Sequence, residues 1–355
     1  MGHFIHFNSV LRVNLANLNS SEGAGNQITL KKITTFNGAE FVYVSGQAYR
    51  RYIRESIYWM SNGEFNICGI DKDGSPIIKV KKSDGEEVEV VKSKKIQQDK
   101  LKELGIGKFD NYQAFMNFLI RQEPELDMFG FLLPISEKAI GHTRKASPFQ
   151  VTPWISCFPY NYNSDMMTRS KAEEQAGDIV KIELDAFNYM QGAQIINVDL
   201  VGGYWDEHEE ALVNVFEPDS EVKKKRVNWL IEAMQNPAGG SKKARLLNDF
   251  SPVLVAGAKQ NTGVVYFNNS FEILPPEKEI KSLKDVKGIL KLEKFIHDFN
   301  SAKNFIEKLY IGINPHEFAN GEEAVEEIVR FSKNHNGLVE VCETPAEVFD
   351  KLKLI

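Results

Sequence analysis

The chain has 355 residues, 42 % of them hydrophobic, with a formal net charge of -6 and an isoelectric point near 5.8. That length is enough for a large core in two structural units, or in one domain with long insertions. No run of about 18 apolar residues occurs, and no basic then apolar leader opens the chain, so the expectation is a protein neither secreted nor membrane-embedded. Cys68, Cys157 and Cys342 are far apart and odd in number, which excludes a disulfide framework or a paired-cysteine metal knuckle and points to a reducing cytoplasm.

The first segment alternates, with Ile5, Phe7, Leu11, Val13 and Leu15 opposite His6, Asn8, Arg12 and Asn14. This predicts a strand with one core face and one polar face. After a Gly/Ser/Asn-rich stretch from Asn17 to Gly25, the run Phe41-Val42-Tyr43-Val44 leads into Ser45, which has N-cap chemistry for a helix reaching about Met60. Tyr49, Tyr52, Ile53, Ile57 and Met60 form its apolar stripe. Gln47, Arg50, Arg51 and Arg54 then point away from the core, three arginines with no acid among them.

Residues 64–95 alternate short strand-like runs with turns at Asp73-Gly74-Ser75-Pro76 and Ser83-Asp84-Gly85, the pattern of an inserted hairpin subdomain. A helix through Tyr112, Phe115, Met116, Leu119 and Ile120 ends before Pro124, and Asp127-Met128-Phe129-Gly130-Phe131 reads as the start of an extended stretch. The segment from Gly141 to Arg169 is dense in Pro, Ser, Thr and basic residues and reads as a long functional loop or β-arm. From Val180 to Leu200 the alternation breaks at Gln191-Gly192-Ala193, which predicts two strands and a tight connection. A helix from Val222 to Gln235 and a last sheet strand from Pro252 to Ala258 follow, and the remaining residues read as mostly helical, as from Leu290 to Tyr310 and from Ala346 to Leu352. The order strand, helix, strand pair, helix, strand is α+β, that of a ferredoxin-like, RNA-recognition-type sheet interrupted by insertions.

The charge is segregated. Lys223, Lys224, Lys225, Arg226, Lys242, Lys243 and Arg245 face a single acid, Glu232, between residues 223 and 245, while Asp206, Glu207, Glu209, Glu210, Glu217 and Asp219 gather just upstream. A net negative charge opposes a polyanion partner, yet phosphate binding depends on local potential, and such runs also serve as plain solvated faces. The histidines show neither the spacing nor the neighbouring cysteine of a zinc site, and no nucleophile elbow or nucleotide loop is present, so no catalytic, cofactor or metal site is expected. Gly239-Gly240-Ser241-Lys242-Lys243 lacks nucleotide-loop spacing. Its glycines nonetheless suit a backbone turning closely against phosphates, and an ordinary flexible turn has the same composition.

The segments Leu15 to Glu22, Thr35-Phe36-Asn37-Gly38 and Tyr43-Val44-Ser45-Gly46-Gln47-Ala48-Tyr49-Arg50-Arg51-Tyr52-Ile53-Arg54 resemble the N-terminal signature of the DevR-like CRISPR-associated backbone subunits, the repeated crRNA-binding proteins of type I Cascade complexes, most like subtype I-B. Asp127-Met128-Phe129-Gly130, the arm Thr143 to Pro153, and Gly239 to Arg245 leading to Asp249-Phe250-Ser251-Pro252 follow in the same order, so that the resemblance covers roughly residues 3–270. It implies a palm from 1–62 and 176–270, a finger-like insertion at 63–125 and an extended arm at 126–175; the helical region at 271–355 is read from the residue pattern and lies outside the resemblance. It also implies a non-catalytic protein whose partners are crRNA, target DNA through that crRNA, further copies of itself, and the repeat-handle-binding, large and small Cascade subunits. Ser45, Gln47, Arg50, Arg51 and Arg54 would contact the crRNA backbone, as would Gly239, Gly240, Lys242, Lys243 and Arg245. Arg12 and Asn14 on the palm strand join them from the residue pattern, and His142, Arg144 and Lys145 from the arm. Residues 141–167 are the candidate thumb and 199–210 its rival. Two further readings are a related subunit cleaving target RNA with a metal, with Asp165 and Asp199 to test, and a transcriptional autoregulator.

Overall fold

The computed structural model describes residues 2–21, 27–82, 85–138, 140–168, 179–207, 209–238, 249–276 and 279–355. Two compact units emerge: Met1–Ser56, Val151–Ile195 and Ile231–Leu352 form the first, and Ile57–Gln150, Ile196–Leu230 and Lys353–Ile355 the second. Among the described residues no helix is long and apolar enough to cross a membrane.

The first unit is built on one mixed sheet. Its main strands are β1 (Phe4–Ala16), β2 (Lys32–Thr34), β3 (Glu40–Val44), β4 (Trp154–Ser156), β5 (Ile179–Asn197), β6 (Pro252–Gln260), β7 (Ile306–Ile313) and β8 (Val339–Cys342), side by side in the order β8-β7-β6-β1-β5-β4-β3-β2. β1 runs antiparallel to β6 from Phe4 opposite Gln260 to Val10 opposite Leu254, and β7 extends the sheet antiparallel to β6. The parallel pair β7 and β8 is joined through a helix, Gly321–Asn334, as parallel strands require.

Four expectations are corrected here. The stretch Val180 to Leu200 is not a strand pair: β5 continues through Gln191-Gly192-Ala193. Gly192 is there for close approach, because a Cβ would lie 2.6 Å from the Trp154 ring. The polar face of β1 is closed to solvent over its first half, where His6 and Asn8 are fully buried, and opens only at Asn14. His6 stacks on Phe267 at 5.3 Å and Asn8 donates to Gln191, and burial alone pushes the His6 imidazole down to about 3.

The C-terminal region is helical at Glu293–Ala302, Gly321–Asn334 and Pro345–Leu352, the last as expected, but Leu290 to Tyr310 is not one helix. The helix Glu293–Ala302 gives way to β7, where Ile306, Leu309, Ile311 and Ile313 are buried in the sheet. Asp127-Met128-Phe129 is not extended but lies in a short helix, Pro124–Phe129, with proline at its start and Gly130 at φ +70° ending it.

The second unit contains a four-stranded sheet (Gly69–Ile70, Pro76–Lys81, Glu87–Lys92, Lys95–Ile96) packed with the helix Tyr112–Gln122 around Ile78, Val90, Phe115 and Leu119. It also holds two hairpins, one pairing Phe131–Pro134 with His142–Lys145, the other pairing Gly203–Asp206 with Ala211–Asn214.

Candidate nucleic-acid interface

Helix α1 (Gly46–Met60) begins as its sequence dictates. The Ser45 hydroxyl accepts from the Ala48 amide at 3.3 Å, satisfying one of the orphan donors of the first turn, and also receives the Asn19 side-chain amide at 3.4 Å. Tyr49 and Ile53 are buried, and the Tyr49 ring packs on Trp154 at 4.9 Å. That anchor fixes which residues face outward. Arg50, Arg51 and Arg54 stand three, four and seven residues after Gln47, hence on one broad face of the helix. Gln47 and Arg51 are exposed and Arg50 and Arg54 half-buried. Arg51 does have an acidic partner, Glu55, one turn on at 2.9 Å, and with its side chain 76 % exposed that pair is solvent-screened.

The other predicted contacts divide sharply. Asn14 is exposed at the far end of β1, but Arg12 is turned into the first unit, where its guanidinium stands 4.5 Å over the Tyr189 ring and donates to the Tyr189 hydroxyl and the Val286 carbonyl. His142 is exposed, and Arg144 is exposed and paired with Glu207. Lys145, expected on the interface, is instead an interior residue: its side chain is 1 % exposed and its ammonium lies 2.9 Å from Asp127. Burial holds the Lys145 pKa below its ordinary value, opposed by Asp127. Arg226, from the basic run, meets the same carboxylate at 2.7 Å and is equally interior, whereas Lys224 and Lys225 pair with Glu221 and Glu64. Gly239, Gly240, Lys242, Lys243 and Arg245 lie outside the described residues.

Two features escaped the sequence reading. One is the Asp127 carboxylate, which takes two cations at once. An acid set among Leu126, Met128 and Phe129 carries a signal of burial, but nothing local identifies cations 18 and 99 residues away. The other is a set of exposed rings and aliphatic side chains. Phe36 projects from the turn between β2 and β3 wholly exposed, and Trp205 and Leu212 sit opposite each other across the 203–214 hairpin, 54 % and 37 % exposed. Asp165 lies on an exposed strand and Asp199 in the turn before that hairpin. Among the described residues no group of three or more His, Cys, Asp or Glu is arranged to hold a metal ion.

Comparison with known proteins is consistent across two levels. The family model for the CRISPR-associated negative auto-regulator DevR/Csa2 matches residues 8–271. No curated protein matches the chain. Among solved structures, a chain of a CRISPR RNA-guided surveillance complex, pre-nicking, is similar with a TM-score of 0.58 at 13 % identity, over 98 % of each chain. A chain of a second CRISPR RNA-guided surveillance complex gives 0.55 at 10 % identity, again over 98 % of each. At such identity the likeness is one of fold, and it includes the C-terminal residues beyond the family match.

Proposed function

This chain belongs to the DevR family of CRISPR-associated proteins, and from that premise we propose that it is a non-catalytic backbone subunit of a Cascade-type surveillance complex. Several copies bind the phosphate and sugar of one crRNA head to tail and present the guide for pairing with target DNA. The observation that carries this reading is the outward face of α1. Gln47 and Arg51 stand exposed with Arg50 and Arg54 half-buried beside them on a helix locked by Tyr49 and Ile53, and such a row of amide and guanidinium groups suits a repeating phosphate backbone and reads no base. Sequence specificity then comes from Watson-Crick pairing alone.

The palm reading is supported by strand order. β6-β1-β5-β4, with α1 following β1 and the helix Glu221–Gln235 between β5 and β6, is the order of a ferredoxin-like sheet. RNA does not lie across β1 in this reading, because His6 and Asn8 are covered; it follows α1 and the 239–245 segment instead. Of the two thumb candidates, a specific observation favours 199–210. The hairpin there presents Trp205 and Leu212 outward as a facing pair, as an apolar wedge between bases requires, whereas the 141–167 arm, which also exposes Tyr162 and Met166, begins in a strand paired with Phe131–Pro134, turns Lys145 inward and ends in a strand paired along β5.

The test is co-purification of the chain with its crRNA, followed by titrations of wild type and an Arg50, Arg51, Arg54 to Ala triple variant at two salt concentrations. Sequence-tolerant binding by wild type, weakened in the variant with a salt slope shallower by about 0.7 per lost phosphate contact, is the expected result. Equal binding by the two proteins would remove α1 from the interface.

A further inference from the structure

The base of the 203–214 hairpin is held by an ionic cluster inside the second unit. Asp127 accepts the Gly202 amide on both oxygens, at 2.9 and 3.0 Å, while pairing with Lys145 and Arg226. The Lys145 ammonium in turn donates to the Leu200 carbonyl at 2.5 Å and to the Gly203 carbonyl. The returning limb is fixed as well: Val215 and Phe216 donate their amides to the Gly202 carbonyl at 2.9 and 3.0 Å, and the Arg121 guanidinium donates to the Val215 carbonyl at 2.7 Å. The Phe216 ring lies under Arg226 and Arg121, at 5.0 and 5.1 Å.

The glycines leave the hairpin no slack. Gly202 has φ +73°, and a Cβ on Gly203 would stand 2.8 Å from the Val213 carbonyl. Gly130 closes the cluster from the other side, since a Cβ there would stand 2.7 Å from the Lys145 carbonyl and the Ser147 amide. Charge burial of this kind is a poor route to stability, because apolar residues of similar volume do as well or better. What apolar residues do not supply is direction: the cluster makes oriented bonds to the backbone of Leu200, Gly202 and Gly203, the residues where the hairpin leaves the unit.

We infer that Asp127 and Lys145 are positioning residues, which aim the Trp205–Leu212 end of the hairpin and thereby set the interval at which guide bases are splayed. The inference rests on the backbone-subunit reading with 203–214 as the wedge. It gives Asp127, Gly130 and Lys145 a role that requires no contact with RNA.

The experiment assembles full-length protein on a guide RNA and maps base accessibility along it with dimethyl sulfate, for wild type, Lys145→Met and Gly203→Ala. Wild type is expected to give evenly spaced reactive bases. Both variants are expected to keep the RNA bound and to lose that even spacing, since α1 is untouched. A merely structural role would lower the melting temperature and leave the spacing of whatever assembles unchanged, and that result overturns the inference. Should Lys145→Met fail to fold, Gly203→Ala, whose added Cβ meets the Val213 and Asp199 carbonyls at the hairpin root and leaves the Asp127 cluster its charges, decides between the same two outcomes. Wild type showing no RNA or no regular spacing would instead count against the backbone reading itself.

Discussion

Basic side chains do opposite work in two parts of this chain. On α1, Arg51 stands in solvent and its bond to Glu55 is an i, i+4 surface pair; at the hairpin root, Lys145 and Arg226 are shut away around Asp127. An exposed guanidinium keeps its hydration until a phosphate displaces it, so it contributes little to folding and is free to bind. A buried one has already given up water for a fixed partner, so it contributes geometry and is not available to bind a phosphate. The count of Lys and Arg in a stretch is therefore a poor guide to its affinity for RNA, and the 223–226 run shows it: Arg226 is inside, and Lys224 and Lys225 are paired with Glu221 and Glu64.

The largest effect that sharpens this contrast is expected from Asp127→Ala, which strands two buried cations. It should cost about 3–5 kcal/mol in urea unfolding, in line with removal of one member of a buried ion cluster. A loss below about 1 kcal/mol would mean that the site admits water and is not the clamp described.

Glu123, four residues before Asp127, is the next case: a buried carboxyl with no paired cation among the described residues. Burial pushes it up to about 7 from an ordinary 4.5, against the hydrogen bonds it accepts from the Lys79 amide and the Cys68 thiol. The folded chain thus favours the protonated form, so this group's contribution is fully present below about pH 4.5 and is lost as the pH rises to about 7, on the order of 3 kcal/mol in all. Glu123→Gln is expected to flatten that part of the stability profile and to raise stability at neutral pH, checked by thermal melts between pH 4 and 8. An unchanged slope would show that the carboxyl is solvated.

The smallest effect belongs to the surface pair. Glu55→Gln should change stability by no more than about 0.5 kcal/mol while leaving Arg51 free. RNA affinity should hold or rise at low salt, and a fall would mean that Glu55 orients Arg51 for binding.

What the amino-acid sequence by itself determined is local. The Ser45 cap and the Tyr49/Ile53 stripe announce α1 and the exposed Arg51, and the turns at Asp73-Gly74 and Gly85 announce the inserted sheet, because caps, turns and periodicities act over a few residues. The family signature is likewise written in short ordered segments. What only the tertiary structure decided is which polar residues remain outside. Arg12 is claimed by Tyr189, His6 by Phe267, and Lys145 by Asp127, each through a partner distant in sequence. Gly192 is a site of close approach and not a turn because Trp154 happens to lie on it. Burial of a charge is settled by long-range neighbours and by the large free energy of leaving water without them, and neither is encoded in the spacing of adjacent residues.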